Sequence, residues 1–306
     1  MHLILIFLLI TNVFTVYLLL QDNDTSSGSE FELLSPQVAR LEVDEFLEKQ
    51  DALSASYFSL KNTINSTIIK GNGNYSVYVE DLTTGAWIGI NEKVSFVPAS
   101  LVKVPVVVGV MNRVQDGEIS LNDQFELIES DIDCEFGDLC EMGVGYKTTI
   151  GDLVQLSLKE SDNTAHRALL RLLDAEKMQE AAVSSGINME AGRSITTKQY
   201  SNVFRSLYYS TYLRRPFSEY ILSEMIETPY EDAAAAGLPS DVKFSHKIGV
   251  HSDNGILSMH DCGIVYLPKK PYLFCVMTRG VQQEQAKEII SQISKTTFEY
   301  MERSIG

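Results

Sequence analysis

Basic residues are in short supply in this chain. Lys and Arg number 25 against 41 Asp and Glu, a formal charge of −16 over 306 residues, so the basic footprint that nucleic-acid binding needs is missing and no DNA or RNA partner is expected. Histidines number five, and no Cys/His spacing matches a metal site, so no metal and no cofactor are expected. Neither an internal repeat nor a low-complexity segment is found. The 44% hydrophobic content is ample for a core and excludes a disordered chain.

Residues 3–20, LILIFLLITNVFTVYLLL, carry no charge and are just long enough to span a bilayer. A secretory signal would show a basic lead-in and a small-x-small cleavage site. Only His2 and the amino terminus precede the run, and LLLQDND offers no such site. The expectation is an uncleaved transmembrane anchor over 1–21, then a linker and helix over 22–56, then a folded body over 57–306. The acids at 22, 24 and 30 place that body outside, giving a membrane-anchored, extracytoplasmic protein. Its oligomeric state is not specified.

Four cysteines fit an exported chain. Cys134 and Cys140 sit in the short polar loop DCEFGDLCE and are expected to form one bridge, whereas Cys262 and Cys275 lie in apolar runs, where cysteine serves as a small buried hydrophobe.

Along the body, GNGNYSVYVEDLTTGAWIGINE predicts a hairpin. A long buried helix is predicted from Ser100 to Gln115, then two helical stretches interrupted at SDN (161–163), the first capped by Thr149 with Asp152 three residues on. Further helices are predicted over 175–185, 196–213 and 217–227. After Gly237 come three strands, VKFSHKIGV, GILSMHDCGIVYLP and YLFCVMTRG, and a last helix over 282–302. The fold class is α/β (α+β): an antiparallel sheet of about five strands drawn from both chain ends and flanked by helices, with an all-helical lobe between.

Within FVPASLVKVPVVV, Ser100 precedes Lys103 by one helical turn, so an i, i+3 spacing brings the amine beside the hydroxyl. Burial would desolvate the ammonium, lower its pKa and let it take the serine proton. From this stretch alone, a lysine that snorkels its charge out of an ordinary core helix fits equally well. Ser-x-x-Lys recurs at Ser240 and Lys243, and SDN recurs at 252–254, where a following Gly255 predicts a hairpin turn.

The combination decides between these readings. PASLVK (98–103), SDNTA (161–165) and HKIG (246–249), in that order and on those elements, resemble the signature set of the serine β-lactamases and penicillin-binding proteins. The chain looks like the class A β-lactamase superfamily over residues 57–306. The resemblance implies Ser100 as the acylated nucleophile, Lys103 as its activating partner and Ser161 as the proton relay to the leaving group. Asn163 would bind the substrate amide, and Lys247 would hold Ser161 and attract the substrate's negative end. Gly249 and Val250 would line the substrate, with the backbone N–H groups of Ser100 and Val250 forming the oxyanion hole.

Three departures qualify the resemblance. The deacylating glutamate's E-x-x-L-N segment is missing from SSGINMEAGRSITT (184–197), where Glu190 stands without the neighbours that would mark it as a base. Ile248 replaces the hydroxyl residue of K-T-G, and the strand beyond it, at SDNGIL, lacks an arginine for the substrate carboxylate. The implied function is a membrane-anchored serine acyl-transfer hydrolase acting on a β-lactam or D-alanyl-peptide-like substrate. The alternatives are a peptidoglycan D,D-peptidase and a non-catalytic binding module. His246 is expected to point away from Lys247 by strand alternation, and His260 with Asp261 to form a structural pair.

Overall fold

The computed structural model describes residues 33–34, 57–68, 73–184 and 194–303. The expected anchor over 1–21, all but residues 33–34 of the expected linker and helix over 22–56, and Glu190 lie outside them. Among the described residues no helix is long and apolar enough to cross a membrane.

A helix over 57–68 (α1) precedes β1 (Asn74–Asp81) and β2 (Trp87–Ile90), which form the predicted hairpin. Its turn is held by the buried Asp81, whose carboxylate accepts from the Thr83 N–H at 2.8 Å and from the Tyr57 hydroxyl of α1 at 3.0 Å. The chain passes through β3 (Ser95–Phe96) into a 3₁₀ turn, Ala99–Val102, and then α2 (Lys103–Gln115). The expected helix start at Ser100 is thus a tighter turn. Pro105 explains part of this: it has no N–H to give the Leu101 carbonyl, which accepts instead from the hydroxyl of buried Tyr200 at 3.0 Å.

The helical lobe continues through β4 (Gln124–Glu126), β5 (Lys147–Thr149), α3 (Ile150–Lys159), α4 (Asn163–Leu170), α5 (Ala175–Ser184), β6 (Ile195–Thr196), α6 (Thr197–Tyr208) and α7 (Arg215–Ile226). Thr149 caps α3 as predicted: its hydroxyl accepts from the Asp152 N–H at 3.1 Å while the Asp152 carboxylate reaches back to Thr149. The strands β7 (Phe244–Asp253), β8 (Ile256–Val265) and β9 (Tyr272–Arg279) then complete a five-stranded antiparallel sheet in the order β2-β1-β9-β8-β7 before α8 (Gln283–Arg303). The sheet therefore joins both ends of the described body, as expected.

Asn254 and Gly255 turn β7 into β8 with φ of 51° and 76°, the left-handed pair that a two-residue hairpin requires. The second SDN is thereby spent on a turn. One face of the sheet packs Tyr57, Leu60 and Ile64 of α1 with Ile290, Ile293 and Phe298 of α8 into a common core; α6 lies against β9, and α7 against β7.

Cys134 and Cys140 are bonded, as predicted. So are Cys262 and Cys275, which corrects the expectation of two unpaired hydrophobes. The cause is register: β8 and β9 place the two residues directly opposite each other, with Cα atoms 4.0 Å apart. Apolar runs hide this pairing because it depends on strand register.

Candidate active site

The 3₁₀ turn delivers Ser100 half-exposed at the head of α2, while every residue of α2 from Lys103 to Asn112 is buried. Lys103 keeps 2% of its surface and does not snorkel. Its Nζ lies 3.1 Å from Ser100 Oγ, 3.2 Å from Ser161 Oγ, 2.7 Å from Asn163 Oδ1 and 2.5 Å from the Ser161 carbonyl. The first two SxxK and SDN motifs therefore meet at one amine. Ser240 and Lys243 instead sit exposed on the loop before β7.

Burial lowers the Lys103 pKa to about 8, against the opposing pull of Asp162, Asp133 and Glu135. A neutral amine has two N–H donors and one lone pair. The two nearest acceptors, the Ser161 carbonyl and Asn163 Oδ1, match the donors, and the two hydroxyls face what remains. This arrangement can take a proton from one hydroxyl and return it to the other.

The SDN turn is built for this meeting. Ser161 adopts φ of 56°, and buried Asp162 caps α4, accepting from Ala165 N at 2.7 Å and from Leu139 N at 2.9 Å. The disulfide-closed loop 134–140 lies against the turn. Phe136 O accepts from Asn163 N at 2.9 Å, and a Cβ at Gly137 (φ +85°) would run into the Asp162 carboxylate.

From the other side, β7 packs on the 3₁₀ turn. Gly249 permits that approach: a Cβ there would stand 3.0 Å from the Pro98 carbonyl and 3.2 Å from Leu101 Cγ. It brings the backbone at Val250 alongside the turn that bears Ser100. Beneath that turn, His260 donates from Nε2 to the Val97 carbonyl at 2.8 Å and accepts at Nδ1 from Thr278 N at 3.3 Å. Burial pushes the His260 pKa down to about 4, so this strut stays neutral.

Lys247 departs from expectation. It is 1% exposed, yet its Nζ has no hydrogen-bond partner among the described residues, so it does not hold Ser161. It stands 6.0 Å from the centroid of the Tyr230 ring, whose hydroxyl donates to the Glu160 carbonyl at 2.8 Å. Burial, then repulsion from Lys103, drives its pKa well down, opposed by Asp261. Left in the apolar surroundings without a partner, this amine is disfavoured as an ammonium.

His246 faces away from Lys247, as alternation predicts. Its partner is Asp261 (Nδ1 to Oδ1, 2.8 Å), whose other oxygen accepts from Ala234 N at 3.0 Å. Asp261 is therefore paired with His246, correcting the expected pairing with His260. Ile248 and Asp261 are register partners, so His246, two residues along, shares Asp261's face. Sequence reasoning also missed Tyr230 and Asp133, the acceptor of Asn163 Nδ2 at 3.2 Å. Neither stands in a motif, and both reach the site from loops whose position depends on the whole fold.

The model of the Beta-lactamase enzyme family matches residues 59–301. This chain belongs to that family. Among curated proteins it is similar to Beta-lactamase VEB-1 of Pseudomonas aeruginosa, 25% identical over 238 residues that cover 69% of this chain and 80% of that protein. Among solved structures it resembles PBP-A, with a TM-score of 0.72 at 22% identity over 80% of this chain and 96% of that one. A PBP-A variant solved as an acyl-enzyme complex with penicillin G gives the same TM-score, at 22% identity over 80% of this chain and 97% of that one. The protein is a β-lactamase-like serine hydrolase with the class A fold.

Proposed function

We propose that this hydrolase forms an acyl-enzyme on Ser100 with β-lactams and related amides. One observation carries the reading: the Lys103 amine, buried and with a lowered pKa, lies within hydrogen-bond reach of both the Ser100 and Ser161 hydroxyls. Neutral Lys103 takes the Ser100 proton as Oγ attacks the substrate carbonyl. The N–H groups of Ser100 and Val250 receive the oxyanion. As the C–N bond breaks, Lys103 passes the proton through the Ser161 hydroxyl to the leaving nitrogen. Asn163 Nδ2 binds the substrate amide, Gly249 keeps β7 close, and Lys247 draws the substrate's negative end. The acylated PBP-A variant supports penicillin as a probe.

The segment over 184–197 lacks E-x-x-L-N, which favours slow release of the acyl group and a D,D-peptidase as the second reading. The uncharged run 3–20 and the two disulfides support membrane anchoring with the body in an oxidising, extracytoplasmic compartment.

Intact mass before and after exposure to benzylpenicillin, with nitrocefin hydrolysis followed in parallel, tests the reading. The expected result is a one-to-one adduct with little nitrocefin turnover. Rapid turnover without an adduct would make the chain an efficient β-lactamase, and no change in either would favour a binding module or a different acyl substrate.

A further inference from the structure

Asn163 has to present two different ends at once: its oxygen to Lys103, at 2.7 Å, and its amide N–H groups away from that amine. Nothing in an isolated carboxamide enforces that choice, since a half-turn about χ2 exchanges oxygen and nitrogen. The structure supplies the missing constraint from a loop thirty residues upstream. Asp133 Oδ1 accepts from Asn163 Nδ2 at 3.2 Å, and a carboxylate accepts only, so the amino end must face it and the oxygen must face Lys103. One Nδ2 hydrogen is then committed to Asp133 and the other is left for a substrate carbonyl.

Asp133 is itself held. Arg167 of α4 grips its Oδ2 at 2.5 Å, the Glu135 N–H donates to Oδ1 at 3.0 Å, and its own N–H donates to Thr164 Oγ1 at 3.0 Å. The Cys134–Cys140 bond begins at the next residue. Burial raises the Asp133 pKa, but the Glu135 N–H, the Asn163 amide, Arg167 and Lys103 outweigh it and hold the carboxyl below its usual value, so it is charged at neutral pH.

We propose that Asp133 is a positioning residue for the acylation machinery: it fixes the Asn163 amide and sets a permanent negative charge beside Lys103. The proposal rests on the Ser100–Lys103 chemistry given under Proposed function. The charged and titratable groups around Lys103 are Asp133 and Glu135 from the stapled loop, Asp162 from the turn that caps α4, His166 from α4, and Lys247 from β7. The three carboxylates favour the ammonium, against the burial that lowers the Lys103 pKa. His166, its pKa lowered to about 4 first by burial and then by Lys103, Lys247 and Arg167, adds no charge at neutral pH. Removing the Asp133 charge therefore makes Lys103 easier to deprotonate.

Two variants separate the two roles. Asp133→Asn keeps an acceptor for Asn163 Nδ2 and loses the charge; Asp133→Ala loses both. Two readouts are taken: the titration of Lys103 by carbon-13 NMR of ε-labelled lysine, assigned by difference from Lys103→Met, and the pH dependence of penicillin acylation. The Lys103 midpoint and the rising limb of the acylation profile are expected to move to lower pH in both variants. The high-pH plateau should stay within about threefold of wild type in Asp133→Asn and fall about tenfold in Asp133→Ala, the loss of one well-placed hydrogen bond.

A Lys103 midpoint unchanged in both variants overturns the proposal, because a purely structural loss would lower rates without moving it. A plateau in Asp133→Ala equal to wild type overturns the orienting role. If the wild type were never acylated while the midpoint still moved, the failure would belong to the Ser100 reading and the placement of the charge would stand.

Discussion

Replacing Lys103 with Met is expected to slow acylation of Ser100 by about 10²- to 10⁴-fold, the usual worth of a positioned base, while the protein stays folded. Met matches the length of the lysine stem and suits the apolar surroundings of α2. The same substitution removes a group that folds at a cost: the Lys103 pKa falls from 10.5 to about 8, a penalty on the order of 3 kcal/mol carried by the ammonium. Against this, the Ser161 carbonyl and Asn163 Oδ1 lose a donor, at about 1–3 kcal/mol for each group left unsatisfied.

The signs give a pH signature. Below pH 8 both folded and unfolded chains hold the Lys103 proton, and the wild type bears the full penalty. Between pH 8 and 10.5 the unfolded chain binds more protons than the folded one, so the wild type gains stability as pH rises. The Met variant lacks that gain. Its melting temperature relative to wild type should therefore be most favourable near pH 7 and decline above pH 8. Wild-type acylation should rise with pH through the same midpoint, since the neutral amine is the competent form. A large melting loss at pH 7 with normal labelling would return Lys103 to a structural role.

The second large effect concerns release. If no positioned carboxylate takes a proton from water, the acyl group on Ser100 persists, with hydrolysis about 10²- to 10⁴-fold slower than an enzyme with such a base achieves. Glu190 is the one acid within SSGINMEAGRSITT, and Glu190→Gln is expected to change the decay of the penicilloyl adduct by less than about twofold. The adduct is followed by mass against time after removal of free penicillin. A tenfold slower decay in the variant, about 1.4 kcal/mol of barrier, would show that Glu190 had taken the base's part.

Local chemistry made much of this molecule legible. Asn254–Gly255 reads as a turn because few residues other than Asn and Gly accept left-handed backbone cheaply. Thr149 and Asp152 read as a capping box because both partners lie within one turn. Ser100 and Lys103 read as a pair for the same reason, and the later motifs single out one of the two Ser-x-x-Lys sequences.

What escaped the sequence is set by tertiary register. The Cys262–Cys275 bond requires β8 beside β9 in one exact pairing. Asp261 turns to His246 because β7 and β8 put them on one face. The family pattern placed Lys247 on Ser161, but here its Nζ stands apart beside Tyr230. Asp133 depends on a loop that a disulfide folds back onto the SDN turn, a contact that no spacing announces.

The central claim is that Ser100 is the nucleophile, and peptide mapping of the protein labelled with a fluorescent penicillin tests it most directly. A single labelled peptide is expected, the one that carries Ser100, with no label in Ser100→Ala while the fold stays intact. Label on the peptide carrying Ser161 or Ser240, or label that survives Ser100→Ala, would contradict it.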